Sequence, residues 1–134
     1  MTDRVADLLL LAAAKDIRAC RVLSDAQDID DSVVGFHAQQ ACEKCLKAVL
    51  SAASIEFRRT HDLLRLIALL EDNGHVLPSA VQGIDALNPY AVEGRYGLVE
   101  AGHLDRAGTL AAIDAMYAWA RDQIDPPLRS QAGP

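Results

Sequence analysis

From Phe36 to Ala53 the chain carries neither glycine nor proline, and most of the residues are good helix formers. Wound at 3.6 residues per turn, this run separates into two faces. Val34, Ala38, Ala41, Cys42, Cys45, Leu46 and Val49 form an apolar arc. Opposite them stand Phe36, His37, Gln39, Gln40, Glu43, Lys44 and Lys47. The first arc is what a helical core needs. The second is the densest patch of usable chemistry in the sequence: amides, an imidazole, a carboxylate and two ammonium groups around one aromatic ring.

A chain of 134 residues predicts one domain with one core, here residues 1–125 followed by a disordered tail over 126–134. Aromatic residues make up only 4%, so the core must be built from Ala, Leu, Val and Ile. Side chains that small let helices approach closely, which favours an all-α fold. The formal net charge of -6 is the wrong sign for a non-specific duplex-DNA binder, although a local basic patch stays open. Three cysteines, an odd number, argue against a disulfide framework. The apolar run at residues 8–14 is bounded by Asp7 and Lys15 and is too short to span a bilayer. No basic segment followed by a cleavable apolar run opens the chain, so the expected location is the cytoplasm.

Helix 1 is predicted over residues 3–23, with Val5, Leu8, Leu9, Ala12, Ala13, Ile17, Cys20 and Leu23 inward. Asp16 falls inside that arc. Either it turns out to solvent or it faces a basic group on another helix. A polar connector follows, and Asp30 or Asp31 can cap helix 2, which runs to about residue 53. Glu43 and Lys47 have the i, i+4 spacing of a surface ion pair. Thr60 is the expected cap of helix 3, whose stripe is Leu63, Leu66, Ile67 and Leu70 and whose stop signal is Asn73-Gly74. Pro78 opens a short helix 4 with Val81, Ile84 and Leu87 inward, ended by Asn88-Pro89. A loop with Tyr90, Arg95 and Tyr96 comes next. A last helix over residues 104–124, with Ala107, Ala111, Ala115 and Ala118 at helical spacing, is expected to be largely enclosed. No stretch alternates well enough for a strand. The predicted architecture is an up-and-down four-helix bundle with an additional short helix.

Helix 2, with Phe36, Gln39-Gln40 and Glu43-Lys44-Cys45-Leu46-Lys47-Ala48, resembles the HEPN (higher eukaryotes and prokaryotes nucleotide-binding) domain family. Thr60-His61-Asp62-Leu63 and the Tyr90, Arg95, Tyr96 segment match in the same order, and Asp16 sits where the family often has an Asp. The resemblance spans about residues 5–124. It implies a dimeric helical bundle that binds a nucleotide or RNA, or pairs with a minimal nucleotidyltransferase in toxin–antitoxin-type modules. It also implies metal-independent RNA cleavage where an Arg is followed by His after four to six residues. This chain departs from that spacing: seven residues separate Arg95 from His103, while Arg58 and Arg59 are too close to His61 and Arg65 too far from His75.

The candidate ligand or partner surface is therefore Phe36, Gln39, Gln40, Glu43, Lys44, Lys47, His61, Asp62, Tyr90, Arg95 and Tyr96, with His61, Arg95 and His103 as catalytic candidates. Lys44, Lys47 and Arg95 would meet phosphates, while the amides or tyrosines read a base or ribose. The plainer alternative is a solvated face, or a dimer interface anchored by Phe36. His61-Asp62 fits helix capping as well as acid–base chemistry. Tyr90, Arg95 and Tyr96 could stack on bases or lock the loop to the bundle. Cys42-x-x-Cys45 lies in the apolar arc with no second pair, so it reads as packing, and no metal or other cofactor is expected.

Overall fold

The computed structural model describes residues 3–91 and 104–126. Its order is α1 (Arg4–Ser24), α2 (Asp31–Ala52), α3 (Leu63–Asp72), two 3₁₀ helices (Ser79–Val81 and Ile84–Tyr90) and α4 (Arg106–Ile124). The described residues contain no strand, and the fold is the expected all-α bundle. α2 is its axis, packing against α1, α3, α4 and the second 3₁₀ helix. Every residue of the apolar arc predicted on α2 is buried. One continuous hydrophobic cluster draws on all four α-helices and both 3₁₀ helices.

Each α-helix is capped by an aspartate: Asp3, Asp30, Asp62 and Asp105 accept from backbone N–H groups of the first turn. An Asp cap satisfies an orphan donor and meets the positive end of the helix dipole. Part of the chain's acidic excess is thus spent on starting helices. For α3 this corrects the expected cap. Thr60 Oγ1 accepts from Asp62 N one step earlier, at 3.0 Å, and Asp62 caps. Asp62 also accepts from Asn88 Nδ2, while Asn88 Oδ1 accepts from Leu63 N, so this helix start is tied to the second 3₁₀ helix.

Three expectations about packing are corrected. On α1 the inward stripe is Ala6, Ala13, Ile17 and Cys20, whereas Val5 and Leu8 are exposed. Leucine occupies every position from 8 to 11, so the apolar pattern carries no phase there. The predicted helix 4 is two 3₁₀ pieces parted at Gly83, whose φ of +86° ends one piece before the next begins. Val81, Ile84, Leu87 and Tyr90 are all buried, a three-residue spacing that matches the 3₁₀ period. Pro89 does not stop the second piece, because its fixed φ suits 3₁₀ geometry. Finally, α4 is not enclosed: it buries Ile113, Met116 and Ala120, while Ala107, Ala111 and Ala118 are exposed.

Two long-range ties set how the helices meet. Arg106 donates through Nε to Asp31 at 2.9 Å and through its terminal nitrogens to the carbonyls of Leu23, Ser24, Ala26 and Ile29. One guanidinium thereby closes the α1–α2 connection onto α4. Tyr90 lies flat on α2 at Gly35, where an added Cβ would stand 2.5 Å from the ring. That approach is open only to glycine.

Candidate functional site

The face of α2 opposite the core is only partly open, because the chain entering α3 crosses it. Gln39 and Glu43 are buried, at 0% and 5% exposure. Burying an amide and a carboxylate requires that each be satisfied, and both are. Glu43 Oε1 accepts from Gln39 Nε2 at 3.1 Å and pairs with His61 Nδ1 at 2.8 Å, and Oε2 accepts from Lys47 Nζ at 2.9 Å. Gln39 Nε2 also donates to the His61 carbonyl, and Gln40 Nε2 donates to Gln39 Oε1 at 2.8 Å. The expected surface pair of Glu43 and Lys47 is instead the buried hub of a network joining α2 to the start of α3. Sequence spacing showed the pair but not the segment that covers it.

Burial by itself would push the Glu43 carboxyl up. The hydrogen bonds from Lys47, His61 and Gln39 overcome that and hold it below the usual carboxylate value. The carboxylate therefore stays charged, and with neutral imidazole it takes the Nδ1 proton of His61. Nε2 is then left as the ring's acceptor. The His61 side chain is 57% exposed. A buried anion thus orients an imidazole whose other edge is open to a ligand.

A second cluster lies between α1 and α2. Lys44 Nζ donates to Asp16 Oδ2 at 2.5 Å, and His37 Nδ1 pairs with Asp16 Oδ1 at 3.0 Å. Asp16, the carboxylate in the apolar arc, faces a cation and an imidazole on the neighbouring helix. Phe36 stands edge-on to His37, with centroids 5.4 Å apart.

The structure therefore brings together Gln39, Gln40, Glu43, Lys47 and His61, and places Lys44 with Asp16. It takes Asp62 for a cap and Tyr90 for the core. A ring 5% exposed against Gly35 is not a stacking platform, which removes Tyr90 from the candidate surface. Arg95, Tyr96 and His103 lie outside the described residues, as does the tail beyond residue 126. Cys42 and Cys45 are buried, free thiols, pushed up by that burial, Cys45 to about 12. They are packing groups rather than nucleophiles. Among the described residues no group of three or more His, Cys, Asp or Glu could hold a metal ion.

One feature escapes the sequence pattern. Phe57, Arg58, Arg59, Thr60, Arg65, Leu66 and Leu69 line a pocket of about 390 Å³ beside the His61 network. Lys47 Nζ lies 6.0 Å from the centre of the Phe57 ring, which links the pocket to Glu43. Spacing to His61 excludes Arg58 and Arg59 only from the Arg–His motif; the sequence signal for the pocket is their adjacency to Phe57, one of only two phenylalanines in the chain.

The second helix of this bundle carries Phe-x-x-Gln-Gln-x-x-Glu-Lys and is joined to a Thr-His-Asp-Leu helix start through Glu43 and His61. The HEPN domain model matches residues 6–121, and the chain belongs to that family. No curated protein and no solved structure matches it.

Proposed function

We propose that this domain binds RNA or a nucleotide at the surface where α2 meets the start of α3. The observation that carries the reading is the Glu43–His61 pair, a buried carboxylate holding an exposed imidazole in one orientation. His61 supplies an acceptor at Nε2 when neutral and a donor when protonated, and both serve phosphate or base contacts. Lys47 stands on the same carboxylate and balances its charge, so the buried anion does not repel a phosphate at His61. The test is fluorescence anisotropy with labelled single-stranded RNA, and calorimetry with ATP. Saturable binding weakened about tenfold by His61→Ala, with RNA left intact, supports a binding module. No binding of either at high micromolar protein overturns it.

The same pair favours one enzymatic reading, a metal-independent ribonuclease of non-standard layout. A carboxylate-oriented imidazole is a competent general base for a ribose hydroxyl. A nuclease cuts single-stranded RNA in EDTA and stops with His61→Ala, while uncut RNA removes this reading.

The protein partner, a second copy of the chain or a minimal nucleotidyltransferase of a toxin–antitoxin-type module, belongs to α1 in our reading. Val5, Leu8 and Leu11 are 57%, 53% and 60% exposed on its N-terminal half. Apolar residues grouped so openly suit a protein interface. Light scattering gives the mass, and Leu8→Glu with Leu11→Glu reduces a dimer to monomer; an unchanged mass places the contact elsewhere. A nucleotidyltransferase gene beside this one would favour the paired module. We place the domain in the cytoplasm on its three free, buried thiols. No helix among the described residues is long and apolar enough to cross a membrane.

A further inference from the structure

We propose that the pocket lined by Phe57, Arg58, Arg59, Thr60 and Arg65 seats a phosphate group of the bound ligand, with the adjoining base against Phe57. This rests on the nucleotide- or RNA-binding reading and gives that ligand a definite anchor. Three guanidinium side chains share a cavity of about 390 Å³ in a chain of net charge -6. Among the described residues Arg58 and Arg59 form no ion pair, and Arg65 reaches Asp62 only at 3.8 Å. Lys44, Lys47, Arg21 and Arg106 hold carboxylates at 2.5–2.9 Å. Arg4, Lys15, Arg18 and Arg121 form no ion pair among the described residues either; what sets Arg58, Arg59 and Arg65 apart is that they line one pocket together.

Three like charges around one cavity repel one another until an anion enters. Arginine forks match the oxygens of a phosphate in pairs, and their fixed planar geometry suits such a seat. Thr60 adds a hydroxyl to the lining. Phe57, Leu66 and Leu69 supply an apolar wall, and Phe57 is partly exposed, with Lys47 near its ring. An aromatic beside cationic forks is the pairing by which proteins hold single-stranded nucleic acid without reading its sequence. His61 follows directly in the chain, so a phosphate in the pocket places its ribose or the next phosphate toward the imidazole.

The test compares the full chain with Arg58→Ala/Arg59→Ala and with Phe57→Leu, after circular dichroism has shown the folds equal. The probes are a labelled single-stranded RNA, ATP and pyrophosphate. The arginine double variant is expected to lose at least about tenfold in affinity for RNA or ATP. Its salt dependence for RNA is expected to flatten by roughly 0.7 in log–log slope, the share of the one phosphate the pocket would neutralise. Phe57→Leu is expected to weaken RNA or ATP by at least about fivefold and leave pyrophosphate unchanged, since stacking needs a base. A stronger response to ATP assigns the phosphate to a free nucleotide; a stronger response to RNA assigns it to a strand. If RNA or ATP binds and the double variant binds it equally, the pocket is not the seat. If the wild type binds neither, the broader reading has failed. Pyrophosphate then judges the pocket alone: arginine side-chain NMR shifts at Arg58 and Arg59 keep it, and unmoved resonances overturn it.

Discussion

Two carboxylates of this domain hold the same pair of partners. Asp16 takes Lys44 Nζ and His37 Nδ1; Glu43 takes Lys47 Nζ and His61 Nδ1. They differ in what is left open. Around Asp16 the His37 side chain is 26% exposed and the whole cluster lies in the seam between α1 and α2. Around Glu43 the carboxylate is the more deeply buried, 7% against 12%, yet its histidine is 57% exposed. The first cluster is a staple. The second has its anion inside and its imidazole outside, the arrangement that leaves chemistry available to a ligand. Identical pairings therefore do not make identical sites; the exposed edge decides.

The largest expected effect tests the buried end of that contrast. Glu43→Ala takes the carboxylate from Lys47 and His61 Nδ1 and one of its two acceptors from Gln39 Nε2, which keeps the His61 carbonyl but cannot reach water. Breaking a buried pair from one side costs about 3 kcal/mol. Urea unfolding should show that loss, and a change under about 1 kcal/mol would reduce Glu43 to the rank of a surface pair.

Asp16→Ala should cost less, about 2 kcal/mol, because Lys44 and His37 are more open and can be hydrated. Its ligand affinity should stay within about twofold of wild type, since a staple does not face the ligand. An affinity loss equal to that of His61→Ala would erase the distinction between the clusters.

The histidines sharpen it further. His61→Ala should lower ligand affinity about tenfold, or about 1.4 kcal/mol. His37→Ala should leave affinity unchanged while lowering stability by about 1 kcal/mol. Anisotropy and thermal unfolding on the two variants give both readouts, and a reversed pattern would move the site to the α1–α2 seam.

Much of this contrast was visible before folding, though unevenly. Asp16 stood out because a carboxylate among apolar neighbours needs a partner, and periodicity alone marks it. Glu43 did not, because what buries it is the crossing at residues 60–62, a tertiary event that leaves no trace in the spacing of α2. The arc of α2 was legible since polar and apolar residues alternate at the helical period. The phase of α1 was not, for its four consecutive leucines point all ways at once. Val81, Ile84 and Leu87 were legible as inward positions. Over so few turns, however, periods of 3.0 and 3.6 cannot be separated, so the 3₁₀ form stayed hidden. A motif spacing says nothing of the pocket at Arg58 and Arg59, which depends on α3 bringing Arg65 back beside them.

The smallest effect expected lies in acid, and it asks whether the hydrogen bonds to Glu43 do outweigh its burial. Burial raises that carboxyl's affinity for a proton; the bonds from Lys47, His61 and Gln39 lower it by more, so the folded value sits below the unfolded one of about 4.3. A depressed carboxyl binds its proton more readily in the unfolded chain. Its contribution to stability is therefore complete above about pH 4.3 and drains away as the pH falls through the folded value. The caps Asp3 and Asp30, also lowered by their hydrogen bonds, fade in the same direction, so the wild type alone cannot isolate Glu43. Glu43→Gln can, because the amide has nothing to titrate. Unfolding followed from pH 6 to pH 2.5 should show the gap between wild type and Glu43→Gln narrowing as acid is added. A gap that widens instead would mean that desolvation prevails at this carboxylate, and that the imidazole it orients is held by a neutral acid rather than by an anion.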